Sequence, residues 1–567
     1  MQVKITSRQL FMMVAALAFS SSGAMAKDSK RRTVPVVKPV EINLPAIAPS
    51  RAIAADEIQT QSRKNNGAEL KTWSKFQDLR KGYRKGQIND EDMWTALSKL
   101  NDDLSKLTAT QRSNILQVQA TLLIKAKRPI LASIYASQSL IEAQDPLDEE
   151  FKRSWQILRD VSRKQPIQNL VDLVAANTKL NGKMPPIFGS DWNYFLANTQ
   201  LKQKNPQLAL ASYRKLKPGD RYYLSSKFQE AMILIDSNDR GASSTALRTI
   251  TKSTLSEQSK ITSEEFYATQ DHANMALGRI LYEDKKFPEA IKHYRMVRRD
   301  GNQFYDALFE QSWALFMAGF PKHALGTLYA VRSPFFKETF NPEATMLASI
   351  IYYWMCRYDD SRQELAEFAS NHQKAIDDLN KHLAKGITDP NSYYRLFEDT
   401  VTGVSSAGLG MPRQLLNMAI EQDNLMFVRD QYASIVAESQ KLDRDGIFGS
   451  NERLEGPRRY LQKWTAILKE DIGIALYSEL KTLKSEYERL YEQGQFLYVE
   501  LLMSKKDQLL GKELHSSGKL ARLSANDNIR SWGRKTQTWA SDNKQEYWAD
   551  ELGFHIMRVE PMCVVGK

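Results

Sequence analysis

The sequence predicts an all-α chain: a solenoid of stacked helical hairpins followed by a long, coiled-coil-like helical C-terminal region. Three observations carry this. From about Leu70, apolar residues recur at three- and four-residue spacing between short polar breaks, nearly to the end, which is the rhythm of paired amphipathic helices. Glycine (26) and proline (19) are scarce in 567 residues, and no alternating run bounded by turn residues predicts a strand. Between His272 and Phe368 the apolar pattern repeats itself. One helix pair cannot bury both of its apolar faces, so each unit must stack on the next.

At the N-terminus, Lys4 and Arg8 precede an apolar stretch from Leu10 to Phe19, then Ser20, Ser21, Ser22 and Gly23. Ala24-Met25-Ala26 places small residues where a signal peptidase needs them. This predicts a cleavable signal peptide over 1–26, a mature chain beginning at Lys27, and a periplasmic location. An uncleaved anchor is the alternative, but an apolar core of about ten residues is short of the ~20 that span a bilayer. No cysteine lies near the cut to carry a lipid. No later stretch is apolar enough to cross a membrane, so none is expected after signal cleavage. Residues 27–67 carry Pro35, Pro39, Pro45 and Pro49 and few aromatics, and read as a basic linker.

Residues 68–260 read as degenerate helical repeats. Ala120, Ala132 and Ala136 fit one helix pair, Leu158 to Leu170 a weaker one. Ala197, Ala209, Tyr213 and Leu216 fit the next, and Ala231, Ser243, Leu247 and Ile250 the one after, with first positions 34 apart (231 − 197). The best units lie in 261–400. Leu277, Gly278, Leu281, Phe287, Ala290, Tyr294 and Val297 recur as Ser312, Leu315, Phe320, Ala324, Leu328 and Val331. They recur again as Ser349, Tyr352, Tyr358, Ser361, Leu365 and Phe368.

This pattern resembles the tetratricopeptide repeat. Ala290 and Ala324 are separated by the family's 34-residue period (324 − 290), and 361 − 324 = 37 implies a three-residue insertion around Pro334-Phe335-Phe336. About six or seven units are counted, the outer ones degenerate. The resemblance implies a right-handed superhelix with a concave groove. It places the helix-packing positions at Gly278, Ala290, Ser312, Ala324, Ser349 and Ser361, with Gly278 letting two helices approach and Ala290 where axes cross closest. It also places the groove wall at Met275, Arg279 and Tyr282, then Phe309, Trp313 and Phe316, then Met346, Tyr353 and Trp354. Such an aromatic strip suits capture of an extended peptide or a partner helix. The alternative is that these side chains pack against another segment of the same chain.

In 401–567, Thr402 to Pro412 supplies glycines, serines and a proline and reads as a boundary. Leu476, Leu480, Leu483, Tyr487, Leu490, Gly494, Leu497 and Leu501 then form a heptad seam. A hairpin with the helix around Leu415 to Leu442 is preferred over self-dimerisation, because that second apolar helix is nearby. Trp532, Trp539, Tyr547, Trp548, Leu552 and Phe554 read as a capping helix, with a docking patch as the alternative.

The net charge of +12 reads as a solvated face, secondarily as attraction to anionic envelope polymers, with no nucleic-acid partner expected of an exported chain. Cys356 and Cys563 are the two cysteines; independent thiols are preferred over one long-range bridge. Lys441 to Glu452 imitates a calcium loop with acids at Asp443, Asp445 and Glu452, yet Lys441 occupies the first ligand place, so no metal is expected. Asp445 to Gly449 also resembles the turn of peptidoglycan-binding domains, but without that family's flanking helices. Seven histidines are scattered, with His272, His293 and His323 at different repeat positions. No HExxH, GxSxG, Walker loop or CxxC occurs, and no glutamate is set up as the acid of a lytic transglycosylase. No catalytic residue and no cofactor are expected. The sequence therefore predicts a periplasmic scaffold or adaptor that binds other proteins of a cell-envelope assembly. Its architecture is similar to that of repeat proteins in motility, secretion or pilus-type machines. A peptidoglycan-associated enzyme, or an activator of one, is the alternative.

Overall fold

A computed structural model describes residues 66–177, 189–510 and 552–563, except positions 144, 146, 147, 259, 337, 338, 340, 385, 388, 450 and 452. The signal-peptide and linker expectations (up to 65) and the aromatics Trp532, Trp539, Tyr547 and Trp548 lie outside the described residues. Within them the fold is all-α. In order the helices are α1 (Asn66–Arg84), α2 (Asp90–Leu100), α3 (Ala109–Lys125), α4 (Pro129–Glu142), α5 (Glu149–Ser162), α6 (Gln168–Ala175), α7 (Gly189–Lys202), α8 (Pro206–Tyr213), α9 (Tyr223–Asp236) and α10 (Arg240–Lys252). There follow α11 (Ser263–Glu283), α12 (Phe287–Met296), α13 (Phe304–Met317), α14 (Pro321–Val331), α15 (Pro342–Trp354), α16 (Tyr358–Leu383), α17 (Pro390–Thr402), α18 (Ser406–Leu409), α19 (Arg413–Ile420), α20 (Asp423–Asp445) and α21 (Glu455–Leu509). Among the described residues no helix is long and apolar enough to cross a membrane.

The repeat is written most plainly in the turns. Lys127, Lys204, Asn238, Lys285, Gly319 and Cys356 all have positive φ, between 55° and 85°. Each stands two residues before the second helix of a pair: α4, α8, α10, α12, α14 and α16. The next residue's N–H closes on a carbonyl five residues back in every case, from Arg128 to Leu123 (2.8 Å) through Arg357 to Tyr352 (2.9 Å). A left-handed residue costs a non-glycine about 1 kcal/mol, and the carbonyls it satisfies at the helix end offset that cost. Proline in the first turn of α4, α8, α12 and α14 sits where the missing N–H is not needed.

Inside the pairs, small side chains set the approach. A Cβ built on Gly278 would lie 2.6 Å from the Tyr294 ring, so only glycine fits there. Ala290, Ser312, Ala324, Ser349 and Ser361 are all fully buried. Ser349 and Ser361 each donate to the other's carbonyl at 2.9 Å. Ser113 and Ser139 do the same between α3 and α4, at 2.8 and 2.9 Å, a pair the alanine pattern around Ala120 did not reveal.

The helix α21 runs 55 residues, about 80 Å. Its predicted seam is answered within the chain: Leu476, Leu480, Leu483, Tyr487, Leu490, Gly494 and Leu501 are buried and Leu497 partly so. The expected partner helix α20 packs on α21, but so do α16 and α17. Gly473 shows how closely: a Cβ there would lie 2.0 Å from the Pro390 carbonyl oxygen at the start of α17.

The C-terminal hairpin also returns to the first repeats. Asn169 and Gln431 exchange amide hydrogen bonds at 2.8 and 2.6 Å, and Tyr135 meets Tyr460 edge-on. Two charged side chains lock the junction. The Glu438 carboxylate accepts from the N–H groups of Ile130 (2.9 Å) and Leu131 (2.6 Å) at the start of α4. Arg128 donates to the carbonyls of Gly446 (2.8 Å) and Lys441 (3.1 Å) at the end of α20. Backbone groups at two helix ends, 307 to 318 residues apart in the chain, are thus satisfied across one contact.

Burial pushes the Glu438 carboxyl up to about 7, against the lowering pull of the Leu131 and Ile130 N–H groups and of Arg128. The folded state then holds a proton that the unfolded chain releases near 4.5. Its contribution to stability is full below that value, falls as pH rises through the window to about 7, and is flat above. The expected span is up to about 3 kcal/mol. Glu438→Gln, which itself costs about 1–3 kcal/mol by unpairing one N–H, should remove this slope. Thermal melts of both proteins at pH 4.5 and 7.5 check it: the wild type's advantage should shrink at the higher pH, and a constant advantage means the carboxylate stays ionised throughout.

The cysteine expectation is corrected. Cys356 and Cys563 form a disulfide, with S–S 2.03 Å and Cα–Cα 5.0 Å. Cys356 sits at a left-handed turn, and residues 552–563 lie along α13 and α14 to meet it. Of the residues read as a capping helix only Leu552 and Phe554 are described, and they belong to a non-helical strap over 552–563. Gln311 donates to the Gly553 carbonyl at 3.1 Å, Met557 N–H to Lys322, and Met562 N–H to Met355. Leu552 is buried, and Phe554 lies under the Arg295 and Arg299 guanidiniums. Gly326 permits the crossing, since a Cβ there would lie 2.1 Å from the His555 carbonyl oxygen.

Candidate functional site

The predicted groove wall is interior, and the expectation of an open aromatic groove is corrected here. Met275, Tyr282, Phe309, Trp313, Phe316 and Met346 are buried in one cluster together with Leu490 and Leu501 of α21 and Leu552 of the strap. Tyr353 and Trp354 are half-buried; Tyr353 shares a 3.1 Å hydrogen bond with Ser504, and Trp354 packs edge-on to Phe316. Arg279, expected to face a partner, is forked onto Glu310 with three contacts of 2.6–3.0 Å. Burial alone would lower its pKa; the Glu310 charge outweighs that and holds the guanidinium above its ordinary value. The wall is sealed because α21 and the neighbouring units occupy the space a ligand would take, as the alternative reading had it.

An opening lies beside the sealed region, between α16 and α21. It is a cleft of about 850 Å³ whose apolar lining includes Leu365, Phe368, Tyr491, Tyr498 and Val499. Phe368 and Tyr491 stack at 6.5 Å. Gly494 keeps the inner end closed: a Cβ there would touch Met346 at 2.9 Å and Phe368 at 3.2 Å. The rim carries Asp359, Asp360 and Arg362. Lys505 on α21 pairs with Asp359 on α16 at 2.8 Å, bridging the two helices, and Arg357 pairs with Asp360 at 2.6 Å. The Lys505 hydrogen bond holds the Asp359 carboxyl below its usual value. An apolar concavity with a few charged rim groups is the usual make-up of a binding site.

Beyond the cleft, the last turns of α21 are apolar on both sides. The inner edge is Gly494, Leu497 and Leu501. The outer side carries Phe496 (64% exposed), Val499, Leu502, Met503 (63%), Leu509 and Leu510, all exposed. Scattered exposed hydrophobics are ordinary, whereas a contiguous patch marks an interaction surface.

Other sequence candidates do not converge. Asp443 pairs with Arg458 at 2.8 Å and Asp445 with Arg444 at 3.0 Å, while the Gly446 carbonyl is taken by Arg128. The stretch from Asp445 to Gly449 is the turn between α20 and α21, and Glu452 is outside the described residues. Among the described residues, no group of three or more His, Cys, Asp or Glu could hold a metal ion.

Neither a protein-family model nor a curated protein matches the sequence. The cleft residues of α21 lie off its seam, so the seam's spacing does not reveal them. Tyr491, Tyr498 and Val499 were readable as a second apolar face, and that signal could have found them.

Proposed function

We propose that this chain is a non-enzymatic scaffold of an exported cell-envelope assembly, and that it binds a protein partner through the α16–α21 cleft. The observation that carries this reading is the cleft itself, an apolar hollow edged by charge and flanked by exposed apolar side chains. A partner helix or extended segment with one or two large apolar anchors suits such a hollow. Several features support the reading: the repeat resemblance of the central helix pairs, the signal-like N-terminal sequence, and a disulfide of the kind that persists in oxidising compartments.

The test uses the full chain. Tyr498→Glu places a charge in the apolar lining at a half-exposed position, so folding should survive, while loss of a central anchor typically costs 2 kcal/mol or more of binding, about 30-fold in affinity. Envelope proteins captured by the wild type should be lost from the variant at equal helical circular dichroism and equal melting temperature. Undiminished capture by Tyr498→Glu removes the cleft as the docking site.

A further inference from the structure

The helix α21 carries two heptad seams, and among the described residues only one of them is covered. The inner seam packs on the repeats. On the opposite side, Glu492, Phe496, Val499, Met503, Lys506 and Leu510 follow one another at steps of four, three, four, three and four, and all six are exposed. That spacing keeps a stripe on one face of a supercoiled helix over nearly three heptads. A helix apolar on both faces is normally buried on both.

Charge selects the occupant. The acidic member of the stripe, Glu492, lies seven residues before Val499, and the basic member, Lys506, lies seven residues after it. Each is two turns, about 10.5 Å, from Val499. A second copy crossing antiparallel with its two-fold axis at Val499 sets Glu492 of each chain opposite Lys506 of the other, with Phe496, Leu502 and Met503 filling the middle. A parallel pairing sets Glu492 on Glu492 and Lys506 on Lys506, which is repulsive at both ends. A two-fold interface of this kind is self-complementary.

We infer that this outer stripe is a homodimer interface, in which the ends of α21 from two chains form an antiparallel coiled coil. The inference stands on the stripe and not on the partner proposed for the neighbouring cleft, although Val499 borders both.

Light scattering on the full chain at concentrations up to about 100 μM should show a dimer. Lys506→Glu, which leaves like charges at both ends, should shift the protein to monomer. Adding Glu492→Lys to it should restore the dimer, because the pairing is then reversed and intact. Met503→Glu should also give monomer, with the melting temperature of the intramolecular fold unchanged. A wild type that is monomeric throughout the range overturns the inference, as does a dimer that survives Met503→Glu, or a double reversal that fails to restore association.

Discussion

Trp313→Ala is expected to destabilise the protein by about 3–5 kcal/mol, the cost of deleting a large aromatic that neighbouring atoms cannot move in to replace. Trp313 has no exposed surface and sits on α13 in the cluster that joins Met275, Phe309, Phe316 and Met346 to Leu490 and Leu501 of α21. The same substitution has a different consequence if the aromatic strip is an open wall: binding is lost and stability is kept. Chemical denaturation therefore separates the two. A large drop in the midpoint is the result expected of a core residue, and an unchanged midpoint would return Trp313 to an accessible surface.

The second large effect belongs to the Cys356–Cys563 bridge. Its two ends are 207 residues apart in the chain, and closing a loop of that order removes unfolded-state entropy worth about 5 kcal/mol in the chain-entropy limit. Reduction, or Cys563→Ser, should lower the melting temperature by several degrees. It should also raise amide exchange in residues 552–563, whose ties to Gln311, Lys322 and Met355 then have no covalent backing. Exchange should rise in α14 too, where Gly326 lies under the His555 backbone. If melting is the same with and without reductant, packing alone holds the strap.

These expectations differ from what residue patterns alone suggest, and the differences have one origin. The helix pairs were legible because the interactions that make them are local: small residues such as Gly278, Ala290 and Ala324 recur at the spacing that lets adjacent helices nest. The six turns that mark the repeat most regularly were not legible, because five of them use Lys, Asn or Cys in a conformation usually signalled by glycine. The groove wall was identified as a set of residues sharing a face, and they do share one cluster. Whether that face met solvent depended on Leu490, Leu501 and Leu552, which lie some 140 to 280 positions away in the chain. The clamp of Glu438 and Arg128 is likewise invisible in sequence, since neither residue has a local partner that would flag it.

For the candidate site the division is sharper. The inner seam of α21 could be read from its spacing, and the outer stripe has the same spacing, so periodicity could not say which would be covered. By itself the sequence determined that the chain is helical, that its helices come in nested pairs, and that a long seam-bearing helix follows them, because helix formation and pair packing depend on residues close together in the chain. Only the tertiary structure decided that the aromatic wall is core, that the two cysteines meet, and that a cleft and an apolar stripe remain outside. Each of those depends on which distant segment fills a given space, and close packing allows one segment there to the exclusion of any other.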